Sequence, residues 1–134
     1  MMCDVLTGGS EMLFRQIHPN FLVDGDPASN RFVPSENDKG YLSLDRSSLT
    51  SAQESHRLYT CSGRLSAAVF GLWVDDFKTE GILCRSDPTE ANPPHPANPA
   101  HALADYTGLE SSRLKNVAKR LKRLAIQHGQ LHPR

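Results

Sequence analysis

No stretch of this 134-residue chain is apolar for long enough to cross a bilayer. The longest such run, residues 66–74, falls well short of the roughly 20 residues a membrane helix needs, so no membrane partner is expected. Residues 1–14 hold no basic segment followed by an apolar one. No signal peptide is therefore readable, and a cytoplasmic location is expected. Cysteine is scarce too: Cys3, Cys61 and Cys84 are far apart and form no C-x-x-C pair. That pattern points to buried thiols in a reducing compartment, not to a disulfide frame. The phosphate-binding and nucleophile motifs G-x-x-x-x-G-K-[ST], G-x-G-x-x-G and G-x-S-x-G are missing, and Gly8-Gly9-Ser10 is too short for a phosphate loop. A classical nucleotide triphosphatase, dehydrogenase or serine hydrolase is not expected. Six histidines are present, but none pairs closely with cysteine, as a structural zinc site would require. His95 and His101 lie in or beside a proline-rich segment, His128 and His132 near the end, and His56 on an expected helix, so no metal site is assigned.

Hydrophobic content is 38%, and nine glycines and nine prolines imply much loop. The length suits one domain with one core. Residues 1–10 are small and polar and are expected to fray, with a single α+β domain over 11–129 and a tail at 130–134. Strands are expected at 13–18, at 41–45 by its apolar/polar alternation, and at 101–106. The run 66–74, rich in Val, Phe and Trp, reads as a central strand buried on both faces. Residues 82–84 add a short strand. Ser51-Ala52-Gln53-Glu54 matches a capping box, so a short helix follows over 52–59. Asp75-Asp76 is expected to cap a turn or helix at 76–80. Residues 87–100 hold five of the nine prolines and no apolar side chain larger than alanine, the mark of an exposed flap. Thr107-Gly108-Leu109-Glu110 is a second capping-box candidate, before a last helix that Gly129 should end. The expected architecture is a small mixed sheet with the short helix and the C-terminal helix packed on it. Its expected core is Phe14, Ile17, Leu42, Leu44, Val69, Leu72, Trp73, Leu114, Val117, Leu121 and Leu124.

Charge is distributed unevenly. Residues 111–134 carry seven Lys/Arg and no Asp/Glu, whereas residues 1–110 carry eight Lys/Arg against fifteen Asp/Glu. A neutral chain is thus an acidic body of −7 joined to a basic end of +7. On the last helix Leu114, Val117, Ala118, Leu121, Leu124 and Ala125 share one face, and Arg113, Lys115, Lys119, Arg120, Lys122 and Arg123 the other. The apolar stripe should dock on the sheet. The basic face reads in three ways: a solvated surface, a docking surface for an acidic protein or a phosphate backbone, or an internal partner of the acidic body. No aromatic residue is interleaved for base stacking. The leading expectation is a small bacterial or phage accessory protein whose basic helix engages an acidic protein or nucleic-acid surface, with no cofactor.

The strand 13–18 suggests a second reading. Arg15 is suited to fork onto a phosphate, and His18 to bind a ribose or move a proton. Ser43, Glu54 or Tyr59, and His101 are candidates to join them in a cleft, with Glu54 orienting a hydroxyl or stabilising a cationic transition state. An Arg or His on one strand, a Ser on a second and a later Glu resembles the set used by ADP-ribosyltransferase-type folds. That resemblance covers about half the chain and implies NAD as cofactor, group transfer to a target, and a toxin as one setting. Glu54 equally serves as the capping partner of Ser51, and His18-Pro19 as a strand end. The run Arg15-Gln16-Ile17-His18-Pro19, with Leu42-Ser43 and Pro99-Ala100-His101-Ala102, also resembles small uncharacterised bacterial proteins over residues 14–127. It implies a single domain and no function.

Overall fold

The computed structural model describes residues 4–134. Its centre is a five-stranded sheet, in which β1 (Met12–Ile17), β4 (Tyr41–Arg46), β5 (Ala68–Trp73), β6 (Leu83–Ser86) and β7 (His101–Asp105) lie in the order β5-β1-β4-β7-β6. Two-residue strands β2 (Leu22–Val23) and β3 (Asp26–Pro27) form a separate ribbon. Helices α1 (Ala52–Thr60), α2 (Val74–Thr79) and α3 (Ser111–His128) complete the α+β fold. Every strand pairing among the described residues is antiparallel, so the sheet there is not mixed.

Alternation along the strands sorts the two faces. Leu13 and Ile17, Leu42 and Leu44, Ala68, Phe70 and Leu72, and Ala102 and Ala104 enter one core. That core is completed by Phe77 of α2, by Phe32, and by Val117, Leu121 and Ala125 of α3. The apolar stripe of α3 therefore docks as its spacing requires, leaving Leu114 and Leu124 partly buried at its margin. Phe14 and Val69 are buried as well, but outside this cluster. Trp73 departs from the expected core. It is 42% exposed and stacks on the His128 ring, whose Nε2 lies 2.9 Å from Asp76.

The run expected as a central strand, β5, is an edge strand. It is nonetheless buried because residues 131–132 run along it, Leu131 N–H donating to Val69 O and Val69 N–H to His132 O. The opposite edge is covered in the same way, Leu6 N–H donating to Cys84 O and Ser86 N–H to Asp4 O. Residues 4–6, expected to fray, are thus tied to β6, and Leu6 is buried; residues 1–3, with Cys3, lie outside the described residues. Of the other thiols, Cys84 is buried and pushed up to about 12 by burial, whereas Cys61 is exposed, contrary to the expectation of buried thiols.

Ser51 caps α1 by accepting from Glu54 N–H, and Gly129, at φ +89°, ends α3. The second capping box does not form: Glu110 precedes α3 without a side-chain cap. The flap is folded, with isolated bridges Thr89↔Asn98 and Asn92↔His95.

Candidate functional sites: a roofed sheet cleft and a basic helix

Ser43 and Asp45 of β4, Gln16 of β1 and His101 of β7 point away from the α3 core, and α1 and the flap cover that face. Between them lies a cleft of about 510 Å³, within the range of about 300–1,000 Å³ usual for small-molecule sites. A chain of hydrogen bonds builds it. Ser66 Oγ donates to Gln16 Oε1 (2.8 Å), Gln16 Nε2 to Ser55 Oγ (2.9 Å), and Ser55 Oγ to Asp45 Oδ2 (2.6 Å). Asn98 Nδ2 of the flap donates to Asp45 Oδ1 (2.8 Å), so both Asp45 oxygens are engaged. Two further bonds pin the roof: His95 Nδ1 to Ser62 Oγ at 2.8 Å, and His101 Nδ1 to Asp87 Oδ2 at 3.0 Å.

Arg15 reaches the cleft because the β1–β4 ladder opens. Only Leu13↔Arg46 and Phe14↔Asp45 are in register. Beyond them Arg15 Nη1 donates to the carbonyl of Ser43 (3.1 Å), while Nε donates to that of Arg31 (2.7 Å). Burial, then the like charge of Arg31, lowers the Arg15 pKa below the ordinary arginine value. Tyr59, Tyr106 and Asp38 act in the opposite sense. Among the described residues Arg15 has no ion-pair partner.

The structure brings Arg15, Ser43, Tyr59 and His101 to this cleft and leaves His18 and Glu54 outside its lining. His18 Nδ1 accepts from Asn20 N–H at the start of a 3-10 turn. Glu54 is paired with Arg57 on the exposed side of α1, beside a separate shallow groove that also takes in His56 and His132. Polar cleft residues not among the cleft candidates read from the sequence include Gln16, Asp38, Asp45, Arg64, Glu90, Asn92, His95 and Asn98. The only early signal for Asn98 and His95 was their place in a proline-rich flap.

On the other side of the sheet, α3 turns its basic residues outward. Arg113, Lys115, Lys119, Arg120 and Arg123 are exposed, and Lys122 is half-buried. Among the described residues Arg120 alone of these forms an ion pair, forking onto Glu80 with bonds of 2.8 and 2.7 Å. That pairing realises, for one residue, the internal role considered for this helix. Glu80 is held below the ordinary carboxylate value by these Arg120 bonds, which outweigh its burial.

Among the described residues no group of three or more His, Cys, Asp or Glu side chains is placed to hold a metal, and no helix is long and apolar enough to cross a membrane. No family model matches the chain, and neither a curated protein nor a solved structure matches it.

Proposed function

We propose that the protein binds a polyanionic surface, an acidic protein or a nucleic-acid backbone, through α3, as a small accessory factor of bacterial or phage type acting in the cytoplasm. One observation carries this reading: Arg113, Lys115, Lys119, Lys122 and Arg123 have no ion-pair partner among the described residues, on a helix without a single acid. Lys115, Lys119, Lys122 and Arg123 recur at three- and four-residue spacings and form a stripe. Such a stripe contacts successive phosphates or carboxylates and releases counterions on binding, so affinity falls steeply with salt. The test is charge reversal of Lys115, Lys119, Lys122 and Arg123 to Glu, with Arg120 kept because it holds Glu80. Loss of binding to a labelled duplex and to an acidic peptide, with an unchanged melting temperature, supports the reading; unchanged binding to both removes it.

A second reading, a transferase of ADP-ribosyltransferase type using NAD, is favoured by Arg15 and Ser43 lining one cleft. His18 and Glu54 stand apart from that cleft, so the reading rests on Arg15 and Ser43. A salt-resistant, concentration-dependent rise in melting temperature with NAD, lost in Ser43→Ala, supports it. No rise at millimolar NAD counts against it.

A further inference from the structure

Arg15, Arg64 and the phenol of Tyr59 line the same cleft. The Arg64 guanidinium carbon lies 5.3 Å from the centre of the Tyr59 ring, a cation–π distance. Arg31 does not line the cleft: its carbonyl accepts from Arg15 Nε, and its guanidinium lies 3.7 Å over the ring of Phe21. Asp38 lines the cleft as well. Its Oδ2 already accepts from the backbone N–H and the hydroxyl of Ser35, at 2.8 and 2.9 Å. Among the described residues neither Arg15 nor Arg64 forms an ion pair. Arg15 is half-buried and Arg64 exposed at the cleft, and a bound phosphate offers both guanidiniums an acceptor.

Elsewhere in the cleft the chemistry has the opposite sign. Both Asp45 oxygens are engaged, but Glu90 on the roof has no side-chain partner among the described residues. A bare anion would leave that carboxylate facing it unfavourably. A ligand bearing hydroxyl donors as well as phosphate satisfies both ends, since phosphate takes guanidinium donors and hydroxyls donate to carboxylate.

We infer that the cleft binds a sugar phosphate of nucleotide size, its phosphate held by Arg15 and Arg64 and its hydroxyls turned to Glu90. This site is separate from the α3 surface, on the far side of the sheet. It shares its location with the transferase reading but requires no reaction, so absence of NAD cleavage leaves it standing.

Isothermal titration of the full chain with ADP, ribose 5-phosphate and adenosine at moderate salt tests it. The expected result is binding of ADP and ribose 5-phosphate but not adenosine. Arg64→Gln should weaken both by about tenfold, the loss of one charged hydrogen bond. Arg64 is exposed, so this variant folds independently of the outcome; Glu90→Ala should weaken ribose 5-phosphate more than inorganic pyrophosphate. Three results overturn the inference: no phosphorylated probe binding at millimolar concentration, adenosine binding as well as ADP, or binding that survives Arg64→Gln and disappears on charge reversal of α3.

Discussion

Asp45 receives hydrogen bonds from α1 through Ser55 and from the flap through Asn98, which makes it the residue on which the cleft is assembled. Asp45→Ala leaves Ser55 Oγ and Asn98 Nδ2 without their acceptor, at a cost of about 1–3 kcal/mol. The expected outcome is a lower melting temperature together with faster proteolysis within residues 87–100, read by mass spectrometry of the nicked chain. Equal protection of the flap in variant and parent would mean that Asp45 does not hold it. Glu80 governs a different response. Its folded pKa lies below the ordinary 4.5 because of Arg120. A depressed carboxylate stabilises fully above its unfolded value and loses that contribution as pH falls through the folded value. Glu80→Gln should therefore unfold at lower temperature than the parent at pH 7, and the gap should close as pH drops from about 4.5. Thermal unfolding followed by circular dichroism across pH 3–7 checks this; a gap that is constant with pH would contradict the ion-pair account.

Both edges of the sheet are closed by short segments near the ends of the described chain, and this decides how β5 behaves. An uncovered edge offers unpaired N–H and C=O groups to another chain. A chain ending at Gly129 should therefore associate in a concentration-dependent way, visible by light scattering, while the full chain does not. Gly71 marks the same contact from the strand side: a Cβ there would sit 2.5 Å from Met12 Sδ and 2.7 Å from Leu131 Cδ1. Gly71→Ala should loosen residues 130–134 and raise hydrogen exchange at Leu131. Much of this level was legible in the sequence, because periodicity reports burial directly. The alternation of 41–45, the stripe on α3 and the Ser51 cap each specify a local element. The position of β5 was not legible, since an apolar run looks the same whether a neighbouring strand or a returning tail buries it. The cleft was harder still. Arg15 reaches it only because the β1–β4 ladder opens after two pairs, and Asp45, Asn98 and His95 meet through folding of residues 87–100, which carry no periodic signal. His18 and Glu54 had suitable chemistry, but local turn and helix hydrogen bonds occupy them.

At the scale of the molecule, one sheet separates two surfaces of different character. The α3 side presents a stripe of cations with little internal compensation, and the opposite side encloses a polar cleft under a pinned roof. Among the described residues internal pairing of α3 involves only Arg120, so most of the basic charge of the C-terminal quarter is without an ion-pair partner there. Polyanion binding through α3 is the central claim, and its salt dependence is the most direct measure of it. Fluorescence anisotropy of a labelled random-sequence duplex should be recorded from about 50 to 200 mM salt for the parent chain and for the variant with Lys115, Lys119, Lys122 and Arg123 reversed. With about four phosphate contacts, the slope of log affinity against log salt should be about −3.6 for the parent, and binding should vanish in the variant. A parent affinity indifferent to salt, or a variant that binds as the parent does, would contradict the claim.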